Sequence, residues 1–252
     1  MDWESWQLRW DAQQEAYLPD REERFSAMID AVEAACGPAP RLLDLAGGTG
    51  SITRRLLARL PRATSVVLDV DAALLTIARG SFGDDPRVQI RSADLATPAW
   101  RDQLAEPDGS FDAVLTATAL HWLTPERLAG VYTEAAALLR PGGVLINADR
   151  MPDPGLDSLE SGLEQVRARH TAEKGSGTGS PWEQWWDDLR ADPVLAGPTA
   201  ERDARFAERA GDHHTESVMP SRWHVEALRS AGLTESGLVW RGLQDAAVLG
   251  RK

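Results

Sequence analysis

A single cysteine, Cys36, occurs in the 252 residues, so no internal disulfide can form. A reducing cytoplasm is the expected setting, and chemistry that needs several thiolates is disfavoured. Lysine is almost as scarce: Lys174 and Lys252 are the only two, and the net charge is -12. Binding to nucleic acid depends on neutralising phosphates with cationic side chains. The arginines are dispersed along the chain, so no nucleic-acid partner is expected and a small-molecule partner is favoured. No apolar run approaches the roughly 20 residues that cross a bilayer. The start, Met-Asp-Trp-Glu-Ser-Trp, lacks the basic and apolar regions of a secretory leader, so no membrane association or export is expected.

What is present is an apolar content of 42 %, enough for a core, and one dense local signal. Residues 42–53 read Leu-Leu-Asp-Leu-Ala-Gly-Gly-Thr-Gly-Ser-Ile-Thr. An apolar strand ends in Asp44 and opens into a Gly-rich turn, which flows into a helix with apolar spacing over Ser51–Leu60. Strand, tight turn and helix form a nucleotide-binding element. The turn has no Gly-Lys-Ser/Thr, so nothing in it meets a triphosphate. A second apolar run, Val66-Val67-Leu68, ends in Asp69 after one strand–helix interval. A carboxylate there can accept from ribose hydroxyls. A third, Arg87–Arg91, leads into Ser92-Ala93-Asp94-Leu95, which places Asp94 to accept from an adenine amino group.

Three strands, each followed by an acid and without a pyrophosphate cradle, resemble the class I S-adenosylmethionine-dependent methyltransferases. Asp44 to Gly50 matches the family's Asp-x-Gly-x-Gly-x-Gly loop, except that Ala46 stands at the first glycine. Phe111–Leu115 followed by Thr116-Ala117-Thr118-Ala119-Leu120-His121-Trp122 resembles the fourth strand and its loop. Leu139–Ile146 resembles the turn into strand five. The resemblance implies S-adenosylmethionine as cofactor and S-adenosylhomocysteine as product. It implies contacts from Asp44, Ala46, Gly47, Gly48, Gly50, Asp69, Val70, Ala93, Asp94, Leu95 and Thr116. The implied fold is α/β: a seven-stranded, mostly parallel, Rossmann-like sheet with a terminal antiparallel hairpin and a helical insertion.

Alternation of strands and helices carries this fold from Arg41 to Leu145, with helices expected over Ala72–Gly80 and Pro125–Leu139. Thr124 is a good N-cap with proline at the first helical position. Residues 1–36 form an N-terminal helical cap that carries Trp3, Trp6 and Trp10, with a helix from Arg21 to Ala35. It covers the sheet edge, closes the cofactor pocket, or both. Gln13, Gln14, Tyr17 and Arg21 are its polar groups nearest the pocket. The Rossmann-like core comprises 37–150 and 221–252. Between them, 151–220 reads as a mobile helical lid. Its helices are expected over Leu156–Ala172, from the capping box Ser180-Pro181-Trp182-Glu183, and over Thr199–Ala210, with a flexible Gly175-Ser176-Gly177-Thr178-Gly179 link. After Pro220, Ser221 is expected to cap a helix through Ala231. Leu233–Leu243 and Ala246–Leu249 then form the hairpin.

Methyl transfer from a sulfonium is a direct displacement that needs alignment and exclusion of water, with a base only where the acceptor must lose a proton. His121 is the candidate base; the alternatives are packing of the loop or shaping of the cofactor pocket. His213, His214 and Glu216 show no metal-ligand spacing, and no metal is expected; His214 is assigned to substrate contact or to an exposed loop. Arg150 meets a substrate carboxylate or pairs with an acid. Trp182, Trp185 and Trp186 pack on the core or wall an aromatic or apolar substrate. The expected substrate contacts are Tyr17, Trp122, Arg150, Trp182, Trp186 and His214. The function expected is methylation of O, N or C of a small apolar or aromatic metabolite, by a monomer or homodimer. The alternative is a non-methylating cyclisation or isomerisation on the same cofactor site.

Overall fold

The computed structural model describes residues 1–18, 20–152, 155, 157–175, 182–210 and 217–252. Five parallel strands form its centre: β1 (Arg41–Leu45), β2 (Thr64–Asp69), β3 (Val88–Ser92), β4 (Phe111–Ala117) and β5 (Leu139–Arg150). Two more, β6 (Glu235–Arg241) and β7 (Asp245–Arg251), close the sheet in the order β3-β2-β1-β4-β5-β7-β6. β7 runs antiparallel to both β5 and β6. The expected seven-stranded, mostly parallel fold with a terminal hairpin is the observed one.

Both faces of this sheet are covered, and that accounts for strands that read as continuous apolar runs. Successive side chains point to opposite faces. Leu42 therefore joins Ala113, Leu115 and Ile146 under α2 (Arg21–Cys36) and α3 (Ser51–Arg59). Leu43 and Leu45 join Val66, Leu68, Val114 and Leu145 on the other face. There they meet α5 (Trp100–Leu104), α6 (Pro125–Leu138) and α10 (Ser221–Ser230). Thr124 caps α6 through a bond from the Arg127 N–H, as its sequence indicates.

A third apolar cluster lies outside the sheet. It joins α1 (Trp3–Tyr17), α4 (Ala72–Phe82) and α8 (Trp182–Ala191) through Ala73, Leu74, Ile77, Trp185, Trp186 and Leu189, with Trp3, Trp6 and Trp10 against them. The remaining helices of the insertion are α7 (Asp157–Gly175) and α9 (Ala196–Ala210). Among the described residues, no helix is long and apolar enough to cross a membrane.

Local departures have local causes. Ser221 is the first residue of α10 and not its cap; Pro220 holds that position without a side-chain bond. Helix α9 starts at Ala196, a turn before the expected Thr199, because the Asp192 carboxylate accepts from Val194 and Leu195 and turns the chain early. The hairpin strands are Glu235–Arg241 and Asp245–Arg251, since β7 follows β5 along its whole outer edge from Val144 to Arg150. Helix α1 falls within the expected N-terminal helical cap but has no apolar stripe to mark its bounds, and α5 was not foreseen. The Ser180-Pro181 capping box and the link 176–179 lie outside the described residues.

Candidate active site

Strand order reverses between β1 and β4, and open α/β sheets bind ligands in the crevice at the carboxyl ends of such a switch point. Asp44 near the end of β1 and Thr116 near the end of β4 stand there, with Asp69 closing β2 one strand away. Asp44 and Thr116 are fully or almost fully buried. Oδ2 of Asp44 accepts from the Thr53 N–H (3.1 Å) and hydroxyl (2.7 Å). Oδ1 of Asp44 and Oγ1 of Thr116 have no hydrogen-bond partner among the described residues. Two orphaned polar atoms at one switch point mark a place built for a ligand, since each otherwise costs about 1–3 kcal/mol.

The Gly-rich turn is shaped by close approach. A Cβ on Gly47 would sit 2.7 Å from the Asp44 carboxyl carbon, so only glycine lets the turn fold over that acid. Gly50 has φ +78 and Ala46 has φ +54. The departure from the family's loop therefore falls on a left-handed position, where alanine costs about 1–2 kcal/mol. Ala46→Gly is expected to stabilise the fold by about 0.5–1 kcal/mol, after subtracting the added freedom of the unfolded chain. A higher urea midpoint at unchanged slope will show it; an unchanged or lower midpoint means that the Ala46 methyl contributes more by packing than it costs in strain.

Asp69 is 9 % exposed. Its Oδ1 accepts from the N–H groups of Val70 (2.6 Å) and Asp71 (2.8 Å), and its Oδ2 from Gly48 (2.8 Å). An ionised carboxylate offers about four acceptor positions, so Oδ2 retains one for a hydroxyl. Burial pushes the Asp44 carboxyl up to about 6, against the lowering bonds from Thr53. Burial and then the Asp71 charge push Asp69 up to about 6. Asp94 is half-buried and accepts from the Ala96 N–H (2.9 Å). Ala93 and Leu95 turn their side chains into the core, so they face a ligand only by backbone.

The N-terminal helix covers this region. Gln7 of α1 donates to the Ser51 hydroxyl (3.3 Å), and Ser51 donates to Asp11 (2.7 Å) at the start of α3. Burial would raise the Asp11 carboxyl, but Arg21 and Arg55 hold it below its usual range. Arg21 is thus paired with Asp11 at 2.9 Å. From the insertion, Arg202 of α9 reaches Asp71 (2.8 Å) and Arg205 reaches Asp94 (3.8 Å). These two arginines were missed in the sequence, where nothing local sets them apart from the other dispersed arginines.

The residues expected to meet a substrate fall into two groups. His121 and Trp122 occupy a short 3-10 turn, Leu120–Trp122, after β4, with ring centroids 5.0 Å apart. Arg150 ends β5, and its guanidinium pairs with Glu164 of α7 at 2.5 Å. Of the two readings for Arg150, pairing with an acid is the one observed. Tyr17, Trp182 and Trp186 belong to the layer of α1 and α8. The Tyr17 hydroxyl accepts from the Trp182 N–H (3.3 Å), and both residues are exposed. Trp186 is buried, with the Arg202 guanidinium 3.5 Å above its ring. His213, His214 and Glu216 lie outside the described residues. Among the described residues, no group of acidic, histidine or cysteine side chains has the geometry to hold a metal. Asp149, at the end of β5, has its Oδ1 2.7 Å from His121 Nδ1.

Residues 42–143 match a family described as a methyltransferase domain. A ubiquinone/menaquinone biosynthesis C-methyltransferase of Dinoroseobacter shibae is 37 % identical over 124 residues, covering 47 % of this chain and 46 % of its own. A trans-aconitate 2-methyltransferase of Acidovorax ebreus is 32 % identical over 151 residues, covering 60 % and 53 %. The chain thus spans about half the length of the curated relatives it matches. Among solved structures, the apo form of the S-adenosylmethionine-dependent methyltransferase SibL aligns with a TM-score of 0.59 at 19 % identity, covering 92 % of this chain and 55 % of that one. That likeness is one of fold. The matched segment spans the switch-point strands and their acids, so residues 42–143 of the chain are similar to a methyltransferase domain, on a sheet of the fold that S-adenosylmethionine-dependent methyltransferases share.

Proposed function

We propose that the chain binds S-adenosylmethionine and transfers its methyl group to a small, apolar-faced acceptor. The observation that carries this reading is the donor-poor crevice itself. Asp44, Asp69 and Asp94 lie at the carboxyl ends of three adjacent strands, Asp44 Oδ1 and Thr116 Oγ1 have no partner among the described residues, and no lysine stands in the turn. Such a lining suits ribose hydroxyls, an amino group and a sulfonium cation, and repels a pyrophosphate. The fit is therefore good. Asp69 would hold the ribose, Asp94 the adenine amino group, and the turn Ala46–Gly50 with Asp44 the amino-acid end. When bound, the cofactor supplies a methyl group on a positively charged, good leaving group.

His121 is the residue in this reading that handles a proton, and the half-exposed Trp122 beside it offers the acceptor a flat apolar surface. Tyr17 and Trp182 offer a second exposed aromatic surface. The relatives' names differ in acceptor, which supports the reaction class and leaves the acceptor to experiment.

Titration calorimetry should find one site per chain for S-adenosylmethionine and for S-adenosylhomocysteine, with micromolar affinity, about -8 kcal/mol. Methyl-labelled cofactor incubated with a small-molecule extract should lose label to a product. Preference for NAD over both ligands would refute the assignment. Binding with consumption of cofactor but no transfer of the methyl would favour a cyclisation or isomerisation.

A further inference from the structure

Helix α9 of the insertion reaches the acids just beyond β2 and β3. Arg202 and Arg205 stand three residues apart, which puts them on one face of that helix. Arg202 Nε donates to Asp71 Oδ2 at 2.8 Å, and Arg205 Nη1 lies 3.8 Å from Asp94 Oδ2. β2 and β3 are neighbours in the sheet, so one helix face spans the acids of two adjacent strand ends. Those ends carry Asp69 and Asp94, the acids that the methyltransferase reading gives to the adenosine half of the cofactor.

Arg202 is held as a fixed charge. Its guanidinium lies 3.5 Å above the buried Trp186 ring and 4.6 Å from that of Phe206, and its Nη1 pairs with Asp203 at 3.1 Å. A planar guanidinium stacked on an aromatic face loses little further freedom for each hydrogen bond it forms. Asp71 is buried. Its Oδ1 accepts from the N–H groups of Ala73 (2.9 Å) and Leu74 (3.0 Å) and so caps α4. Its own N–H donates to Asp69 Oδ1 at 2.8 Å. A continuous chain of bonds thus runs from Arg202 through Asp71 to Asp69. Two buried carboxylates this close repel each other. Burial and then the Asp71 charge raise Asp69, and burial raises Asp71, which the Leu74 N–H and the Arg202 guanidinium oppose. Without that guanidinium the pair would lose its cation, and the acid that took up a proton would be a poorer acceptor.

We propose that α9 is the outer wall of the adenosine half of the cofactor site, with Arg202 a positioning residue that acts through Asp71 to hold Asp69 toward the ribose hydroxyls, and Arg205 a second that steers Asp94 to the adenine amino group. The inference rests on the methyltransferase reading. It gives the insertion a part in binding the cofactor, beside any it has toward the acceptor. Neither arginine needs to touch the ligand. Each acts on a carboxylate that does, and each therefore affects one named part of the ligand and not the rest. That selectivity separates a positioning role from simple anchorage of α9, which would weaken every ligand alike.

Calorimetry on the full chain tests this with three ligands: S-adenosylhomocysteine, its 2′,3′-dideoxy analogue, and its analogue without the adenine amino group. Arg202→Met keeps an apolar side chain over Trp186 and removes the charge, and a urea midpoint near that of the wild type confirms its fold. It should weaken S-adenosylhomocysteine about tenfold and the dideoxy analogue less than about twofold. Arg202→Lys, which keeps the charge, should recover most of the affinity. Arg205→Ala should weaken S-adenosylhomocysteine about threefold and leave the amino-free analogue unchanged. In an Asp71→Asn background, where asparagine still caps α4, Arg202→Met should no longer weaken binding. Equal losses for all three ligands would reduce the arginines to anchors of α9 and overturn the inference. So would a loss from Arg202→Met that persists in the Asp71→Asn background. A wild type that binds none of the ligands would refute the methyltransferase reading, and the inference with it. Equal losses from a wild type that binds would refute the inference alone.

Discussion

Replacing Trp185 by alanine is expected to cost the folded protein about 3–5 kcal/mol, a large share of a typical total of about 5–15 kcal/mol. The indole is fully buried. It meets Trp186 at 4.8 Å and Trp10 at 4.9 Å between centroids, and Trp6 edge-on at 6.4 Å. Beneath it lie Ala73, Leu74 and Ile77 of α4. No single neighbour can fill the space, because the other indoles are fixed on α1 and on α8 itself, and the cavity term adds to the lost transfer energy. The substitution also tests what the insertion is. As a fixed layer, α8 shares the cooperative unfolding of the core, and the loss appears in the global melting transition. Hydrogen exchange should then rise in the strands of the core together with α1, α4 and α8. An unchanged melting transition would instead restore the expectation of a detached, mobile lid over residues 151–220.

Asp69→Ala is expected to weaken S-adenosylhomocysteine binding by about 1.5–3 kcal/mol, roughly tenfold to a hundredfold, through loss of charge-assisted bonds to ribose. Asp94→Ala should cost less, since one contact is involved. Acid tells the same story through two opposite slopes. Asp44 and Asp69 are both pushed up to about 6 when folded, whereas an unfolded aspartate ionises near 3.8. Between those values the folded chain holds protons that the unfolded chain has released. Stability of the unligated protein therefore falls as pH rises from about 4 to about 6, by about 3 kcal/mol per group as an order of magnitude. Asp11, Asp85, Asp188 and Asp203 are lowered on folding, so their contribution is lost only below that window. Ligand affinity should run the other way, strengthening through about pH 6 as Asp69 ionises to accept the hydroxyl. Asp69→Asn should flatten both slopes. Melting curves and calorimetry across the window measure the two quantities on one sample, and slopes of the same sign would contradict the argument.

What the sequence by itself determined is whatever near neighbours encode. The run Leu42–Gly50 announces strand, acid and turn because a buried strand needs continuous apolar residues and a tight turn over Asp44 needs glycine at 47. Thr124-Pro125 announces α6 because capping is settled within one turn. Asp69 and Asp94 follow from the repeat of strand and helix. The same locality hid α1, whose tryptophans, glutamines and charges lack an apolar stripe, and it left open whether the three indoles of α8 face ligand or core. Only tertiary structure decided that Trp185 and Trp186 are buried, because α1, α4 and α8 meet outside the sheet through contacts between distant segments. Only tertiary structure joined Arg202 to Asp71, 131 positions apart, and His121 to Asp149, 28 positions apart. The second pair exists because β4 and β5 lie in parallel register with Ala117 beside Ala148, and Thr118 turns left-handed just beyond. Register is a property of two strands together, and the left-handed turn at Thr118 is enforced by the strand beside it, so neither can be read from either segment alone.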